Sequence, residues 1–365
     1  MSQPKFEAFE SLPAEKTITQ RTLENEGQTS EELEVERASP AEDVRVGAPS
    51  QPPKAFTNIE VTRLDDNIFV GEEATLWRPP DARGVYGGQI IGQALSAATQ
   101  TVPAGKSVHS LHCYFVMKGD NLHKIVYRVE TLRDGASFST RLVTAQQHGK
   151  VIFLLVASFQ VRHVGRSIEH QVQMPMVPKP AELPTMEEYY AALLLDPRCP
   201  QAWRPFIEKR TKSTSPLAMR PVIVSDFFHV MGPPPASRPR FPELSLGKPR
   251  QAYWMRANSP LPDDSAIHTA VLAYASDMGL LSTAKHSTPT AAIGVIASLD
   301  HALWIHSSFR ADEWLLFYLE SQRATDGRGT AYGTVYSENG RLVASVAQEG
   351  VIRLKRERQT SESHL

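Results

Sequence analysis

The chain repeats itself. The run "YRVETLRDGASFSTRLVTAQQHGKVIFLLVASF" begins at Tyr127, and "FYLESQRATDGRGTAYGTVYSENGRLVASVAQEGVI" begins at Phe317. Both read as strand, turn, strand, glycine turn, strand. Gly149 follows Glu130 by 19 positions, and Gly340 follows Glu320 by 20. Upstream, each copy has a run of small residues with helical character and then an apolar strand. These are "YGGQIIGQALSAATQ" before "SVHSLHCYFV", and "HTAVLAYASDMGLLSTA" before "AAIGVIASLDHALWI". A unit this long, present twice, is a duplicated domain rather than a solenoid.

The helical run of the first copy has no polar stripe. Ile90, Ile91, Ala94, Leu95, Ala97 and Ala98 cover most of its circumference, and a helix apolar nearly all round lies inside a core. The later strands are joined by hairpin-length turns, so they run antiparallel. The expected class is α+β, a double hotdog: two tandem repeats, each a long central helix wrapped by an antiparallel β-sheet. Residues 1–55 read as a disordered extension, rich in Glu, Ser, Pro and Gln. The first hotdog spans 56–163 and the second 246–356. Between them, 164–245 reads as a proline-rich linker with one short helix at "TMEEYYAALLL", and 357–365 is a tail.

Three polar residues break the apolar pattern of the second copy. In "ASVAQEGVIRL" every second position puts Gln348 on a face with Val346, Gly350, Ile352 and Leu354. Asp277 has Ala273, Tyr274, Leu280 and Leu281 as helical neighbours. Ser298 shares a strand face with Gly294 and Ile296. A buried carboxylate or amide without partners is costly, so each of these needs one. Matched motif to motif, the first copy carries Leu95, Val108 and Ala157 at these positions. Polar groups gathered in one copy, with apolar counterparts in the other, point to one working site and one retired site.

Other chemistry is poorly supported. A net charge of -1 gives no electrostatic case for nucleic acid or a membrane surface. No apolar run reaches the roughly 18 residues of a spanning helix. Cys113 and Cys199 form no CxxC pair, and Cys113 reads as packing in an apolar strand. A GxSxG nucleophile elbow is missing, and "GGQIIGQ" lacks the spacing of a phosphate loop; its glycines are expected to permit close helix–sheet packing. The pairs His109/His112 and His301/His306 have odd strand spacing, which sends the rings to opposite faces, so no metal is expected. His109, Asp300 and His301 remain as possible supports behind the site.

The motifs "VYGGQIIGQALSAA", "VHSLHCYFV", "GASFSTR", "AYASDMGLL", "SLDHALWIH", "ADEWLLFYLES" and "AQEGVIR" resemble, in order, those of the acyl-CoA thioesterase II family with its peroxisomal members. The resemblance covers about residues 57–356. It implies a double-hotdog enzyme that hydrolyses acyl-CoA to free acid and CoA without a cofactor. The family's catalytic Asp, Ser/Thr and Gln fall on Asp277, Ser298 and Gln348. By that reading Asp277 is a general base to a water that Ser298 and Gln348 orient. The acyl chain is expected in an apolar tunnel beside the helix, and the protein as a homodimer or larger homo-oligomer. Two rivals use the same substrate class: a hotdog enoyl-CoA hydratase, which needs paired Asp and His, and a non-catalytic acyl-CoA binding protein.

The beginning "MSQPKFEAFESLPAEK" lacks a signal-peptide apolar core and is too acidic for a mitochondrial leader. Ser363, His364 and Leu365 are one step from the Ser-Lys-Leu peroxisomal address. The expected location is therefore the peroxisome matrix, with the import receptor as a partner.

Overall fold

The computed structural model describes residues 55–79, 82–197, 199, 201, 204–211, 215–223, 249–285 and 293–355. The extension expected to be disordered (to residue 54), much of the proline-rich stretch (224–248) and the tail with Ser363, His364 and Leu365 lie outside the described residues.

The first copy opens with α1 (Ala55–Ile59), β1 (Thr62–Asp65) and β2 (Ile68–Gly71). The central helix α2 (Gly87–Thr99) follows, then β3 (Lys106–Phe115), β4 (Ile125–Asp134), β5 (Phe138–Gln147) and β6 (Lys150–Val161). After the connecting helices α3 (Met186–Leu195) and α4 (Arg204–Thr211) come β7 (Leu217–Ile223) and β8 (Arg250–Ala257). The second copy continues with α5 (Ser265–Ser276), β9 (Ile293–Ser298), β10 (Asp300–Ile305), β11 (Leu315–Thr325), β12 (Arg328–Ser337) and β13 (Leu342–Leu354).

The strands form one antiparallel sheet in the order β1-β2-β4-β5-β6-β3-β10-β13-β12-β11-β8-β7, with β9 also on β13. The order is a mirror. β3 and β10 meet at the centre, pairing Leu303 with Leu111, and β7 and β8 answer β1 and β2 at the far ends. The repeat is therefore longer than the sequence pattern shows. The stretch read as linker carries α4 and β7 beside the expected helix, and β7 belongs to the sheet. α3 itself starts where a capping box stops the chain: Thr185 accepts from the Glu188 N–H, and Glu188 accepts from the Thr185 N–H.

The two central helices pack antiparallel on each other. Tyr86 donates its hydroxyl to the Tyr274 carbonyl at 3.0 Å. A Cβ on Gly88 would strike that same carbonyl, and one on Gly92 would sit 3.1 Å from the Ala270 carbonyl. These glycines serve a helix–helix contact, not the helix–sheet contact expected. One hydrophobic core runs through both copies, from Phe69, Ile91 and Phe153 to Val271, Phe317 and Val343. Residues 171–183 strap the outer face of the second half-sheet. Met174, Val177 and Leu183 cover Trp254, Leu316 and Tyr336, and the Trp254 indole donates to the Pro178 carbonyl.

Candidate active site

Asp277 is the residue that ends α5. Its side chain reaches out of its own repeat. Oδ2 accepts from the Gly88 N–H at 2.9 Å. Gly88 is in the first turn of α2, where backbone N–H groups have no partner within the helix. The residue before the helix, Tyr86, provides no side-chain cap. Asp277 thus caps α2 from the other copy, at the positive end of its dipole. Gly87 clears the approach: a Cβ there would lie 2.8 Å from Asp277 Oδ2.

The other carboxylate oxygen, Oδ1, accepts from Gln348 Nε2 at 2.7 Å. The same amide nitrogen donates to Ser298 Oγ at 3.1 Å. Asp277, Ser298 and Gln348, scattered over 71 positions of sequence, meet at one amide. Gln348 lies on the buried face of β13, alternating with Val346 and Gly350 as the strand parity predicts, and is 3% exposed. Asp277 and Ser298 are only partly buried, so the open side of the cluster belongs to the carboxylate and the hydroxyl. Burial raises the Asp277 carboxyl above the usual carboxylate range, against the bonds from Gln348 and Gly88 that favour its charge. Gln348 Oε1 is buried and has no partner among the described residues.

Ser298 owes its place to a break. The strand expected to run through "AAIGVIASLDHALWI" is split at Leu299. β10 pairs with β13 at Ala344–Ala347, while β9 pairs further along, Ser298 facing Gly350. Leu299 still donates to the Glu349 carbonyl and accepts from Phe115 N. Gly350 leaves room for Leu281, which a side chain there would strike.

The three supporting candidates separate. His301 joins the cluster. Its Nδ1 lies 3.4 Å from Gln348 Nε2, its Nε2 lies 2.9 Å from Ser276 Oγ, and burial pushes its pKa down to about 3. Asp300 accepts from the Glu349 N–H at 2.7 Å, holding the β13 backbone next to Gln348. His109 sits at a bulge of β3 in the first copy, paired with Ser158 Oγ at 2.9 Å, with no bond to the cluster. His301 is buried and His306 exposed, as the odd spacing requires.

Sequence reasoning missed two features. The Gly88 N–H comes from the other copy, signalled only by a glycine pair at an uncapped helix start. The second is a cluster of possible metal ligands on exposed turns, Asp120, His123 and His148, whose ligand atoms lie within 4.8 Å of one another. There His123 Nδ1 and Asp120 Oδ2 are in hydrogen-bond contact, 2.5 Å apart. An apolar pocket beside α5, lined by Leu217, Met255, Val271, Ala275 and Phe317, holds about 10 Å³. That is room for one water, not for the acyl chain expected beside the helix. A wider cavity of about 220 Å³ is lined by His112, Tyr114, Asp300, His301, Tyr332 and Gln348, among others.

Comparison with known proteins decides the family. The family profile "Acyl-CoA thioesterase N-terminal domain" matches residues 75–160, and "Acyl-CoA thioesterase C-terminal domain" matches residues 200–352. The chain belongs to the acyl-CoA thioesterase II family. This thioesterase is 37% identical to acyl-coenzyme A thioesterase 8 of Homo sapiens over 340 residues, 90% of this chain and 98% of the relative. It is 36% identical to acyl-CoA thioesterase 2 of Haemophilus influenzae over 302 residues, 81% and 95% of the two chains. Among solved structures, an acyl-CoA thioesterase II of Mycobacterium marinum superposes with a TM-score of 0.63 at 35% identity, covering 84% of this thioesterase and 99% of that chain. The second profile begins before β7, in agreement with a repeat that starts earlier than residue 246.

Proposed function

We propose that this thioesterase hydrolyses acyl-CoA to a free acid and CoA, with Asp277, Ser298 and Gln348 holding the attacking water. The observation that carries the reading is the convergence of a partly buried carboxylate, a hydroxyl and a buried amide on Gln348 Nε2. Each Asp277 oxygen holds one hydrogen bond, which leaves lone pairs for a water proton. Asp277 takes that proton as the water oxygen attacks the thioester carbon. The C–S bond breaks on collapse, and the CoA sulfur leaves with the proton that Asp277 returns. Proton transfer of this kind typically contributes about 10²–10⁴-fold. Ser298, on the open side of the cluster, supplies orientation, and the Gln348 amide holds the carboxylate and the hydroxyl in place.

The hydratase rival needs paired Asp and His. Both ring nitrogens of His301 face other side chains, Nε2 Ser276 and Nδ1 Gln348, and Asp277 is held by Gln348 instead, which favours hydrolysis. The test is release of free thiol from medium- and long-chain acyl-CoAs by the full chain. Thiol release that Asp277→Asn abolishes supports the reading. A wild-type protein that releases none, or an Asp277→Asn variant as fast as wild type, would sink it.

Peroxisomal location is part of the proposal and rests on Ser363-His364-Leu365 standing as a C-terminal address read by the import receptor. Removing the tripeptide should leave a fluorescent fusion in the cytosol; unchanged import would remove the argument. Assembly as a homodimer or larger oligomer is supported by the exposed aromatic residues Tyr114, Trp304 and Tyr332. Sedimentation giving a monomer at micromolar concentration would count against it.

A further inference from the structure

We propose that His301 is a positioning residue: its bare Nδ1, fixed by Ser276, holds the Gln348 amide with Nε2 turned toward Asp277. The inference rests on the reading of Asp277, Ser298 and Gln348 given above and adds the group that orients them.

The available protons fix the direction of each hydrogen bond. The Ser276 hydroxyl has one, and it goes to the Ala273 carbonyl at 2.9 Å, an atom that can only accept. Ser276 Oγ, 2.9 Å from His301 Nε2, must therefore accept from the ring. A neutral imidazole that carries its proton on Nε2 has a bare Nδ1. Burial keeps the ring neutral. The group facing Nδ1, at 3.4 Å, is Gln348 Nε2, a donor. Its two hydrogens then have a fixed use: one to Asp277 Oδ1, the other shared between Ser298 Oγ and His301 Nδ1. A flipped amide would turn its carbonyl oxygen onto two groups that can only accept, Asp277 Oδ1 and the bare His301 Nδ1. The chain from Ala273 through Ser276 and His301 thus sets which end of Gln348 faces the carboxylate.

The two copies supply an independent argument. β3 pairs Leu111 with Ala157. In the second copy Ala302 pairs with Ala347, which sets His301 and Gln348 side by side one step further on. Leu111 and Ala157 are the counterparts of His301 and Gln348. The fold accepts leucine here, and a buried imidazole costs desolvation that leucine does not. The histidine appears only in the copy that has the glutamine.

The test uses the full chain. His301→Leu installs the residue of the first copy, and thermal melts beside wild type report folding. kcat is expected to fall about tenfold, the worth of roughly one hydrogen bond, with KM within twofold. His301→Gln, whose carbonyl can accept from Gln348, is expected to recover part of the loss. In a Gln348→Leu background, His301→Leu should cost nothing more, because it acts through the amide. Unchanged kcat in His301→Leu, or losses that multiply in the double variant, would overturn the inference. Nitrogen-15 NMR of histidine-labelled wild type supplies a readout free of any variant's folding. A neutral Nε2–H tautomer from pH 6 to 8 is expected; an Nδ1–H tautomer or an imidazolium overturns the assignment. If Asp277→Asn and Gln348→Leu release thiol at the wild-type rate, the functional reading falls and takes this inference with it. If they lose activity and His301→Leu does not, this inference alone falls.

Discussion

The two central helices end differently. α5 ends at Ser276, and its capping residue Asp277 meets the Gln348 amide of β13. α2 ends at Thr99, and two residues on, Thr101 meets the guanidinium of Arg141 in β5. The ladders make these places equivalent: Arg141 pairs with Ala157, and Ala331 pairs with Gln348. The polar side chain has moved one strand across, and its use has changed. Arg141 donates to Thr101 Oγ1 and to the Thr101 carbonyl, and grips Asp134 with two nitrogens. Its donors are spent on its own repeat. Gln348 keeps an acceptor unspent, and Asp277 keeps lone pairs. Neighbouring strands of the fold thus carry a staple in one copy and, in the other, the group proposed to react.

The largest expected effect breaks the reactive side of this comparison. Asp277→Asn should lower kcat by roughly 10²–10⁴-fold in thiol-release assays. It should not lower thermal stability at neutral pH. Burial raises the folded-state pKa of Asp277 above its unfolded value. Its linked stability is therefore fully present below the unfolded pKa and lost as pH rises through the folded one. Asparagine escapes that loss, so a melting temperature well below wild type at pH 8, with the two converging in acid, would contradict the sign.

Gln348→Leu comes next. Misplacing the water should cost on the order of 10²-fold in kcat, with KM little changed. An effect confined to KM would assign Gln348 to binding instead.

Arg141→Leu tests the staple. Charged hydrogen bonds inside the first copy are lost, and stability should fall by about 2 kcal/mol, read by urea unfolding. kcat per folded molecule should stay within twofold. A large kcat loss at full folding would mean that the first copy is not retired.

Gly88→Ala joins the copies. Its Cβ strikes the Tyr274 carbonyl, and overpacking of this kind costs about 1–3 kcal/mol. It also shifts the N–H that Asp277 accepts, so a fall in kcat should accompany the fall in stability. The smallest effect is in the pH profile. The acid limb of kcat/KM should lie above the range of an ordinary carboxylate and rise further in Gln348→Leu, which removes a bond to the charged form.

The copy comparison was partly legible in the sequence. Counting forward from Gly149 and Gly340 sets Ala157 opposite Gln348, and counting back from Glu130 and Glu320 sets Val108 opposite Ser298. The ladders agree, pairing Val108 with Phe159 and Ser298 with Gly350. Helices have no ladder to fix a register: the count from the motifs puts Leu95 opposite Asp277, and the count from the helix starts, Gly87 and Ser265, puts Thr99 there. Strands joined by tight turns carry their register in the count, whereas the helix starts here have no such marker. β7 was lost in the proline-rich stretch for a related reason. Its partner β8 lies 27 or more residues beyond it, across residues 224–248, and no local pattern announces that pairing.

Face and period are local properties, set by where each Cβ points along a strand or helix. By itself the sequence determined the duplication, the buried central helix, the antiparallel strands and the inward face of Gln348; the face of β9 that Ser298 shares with Gly294 and Ile296 is an exposed one. Tertiary structure decided what those side chains meet. It joined the half-sheets at β3 and β10, broke a strand at Leu299, and set Asp277 on the N-terminus of the other copy's helix. It also put His301 behind the amide. Contacts between residues tens to hundreds of positions apart depend on how whole elements pack. Helix α2 starts without a cap of its own, and only the packing of the two copies shows that Asp277 supplies one.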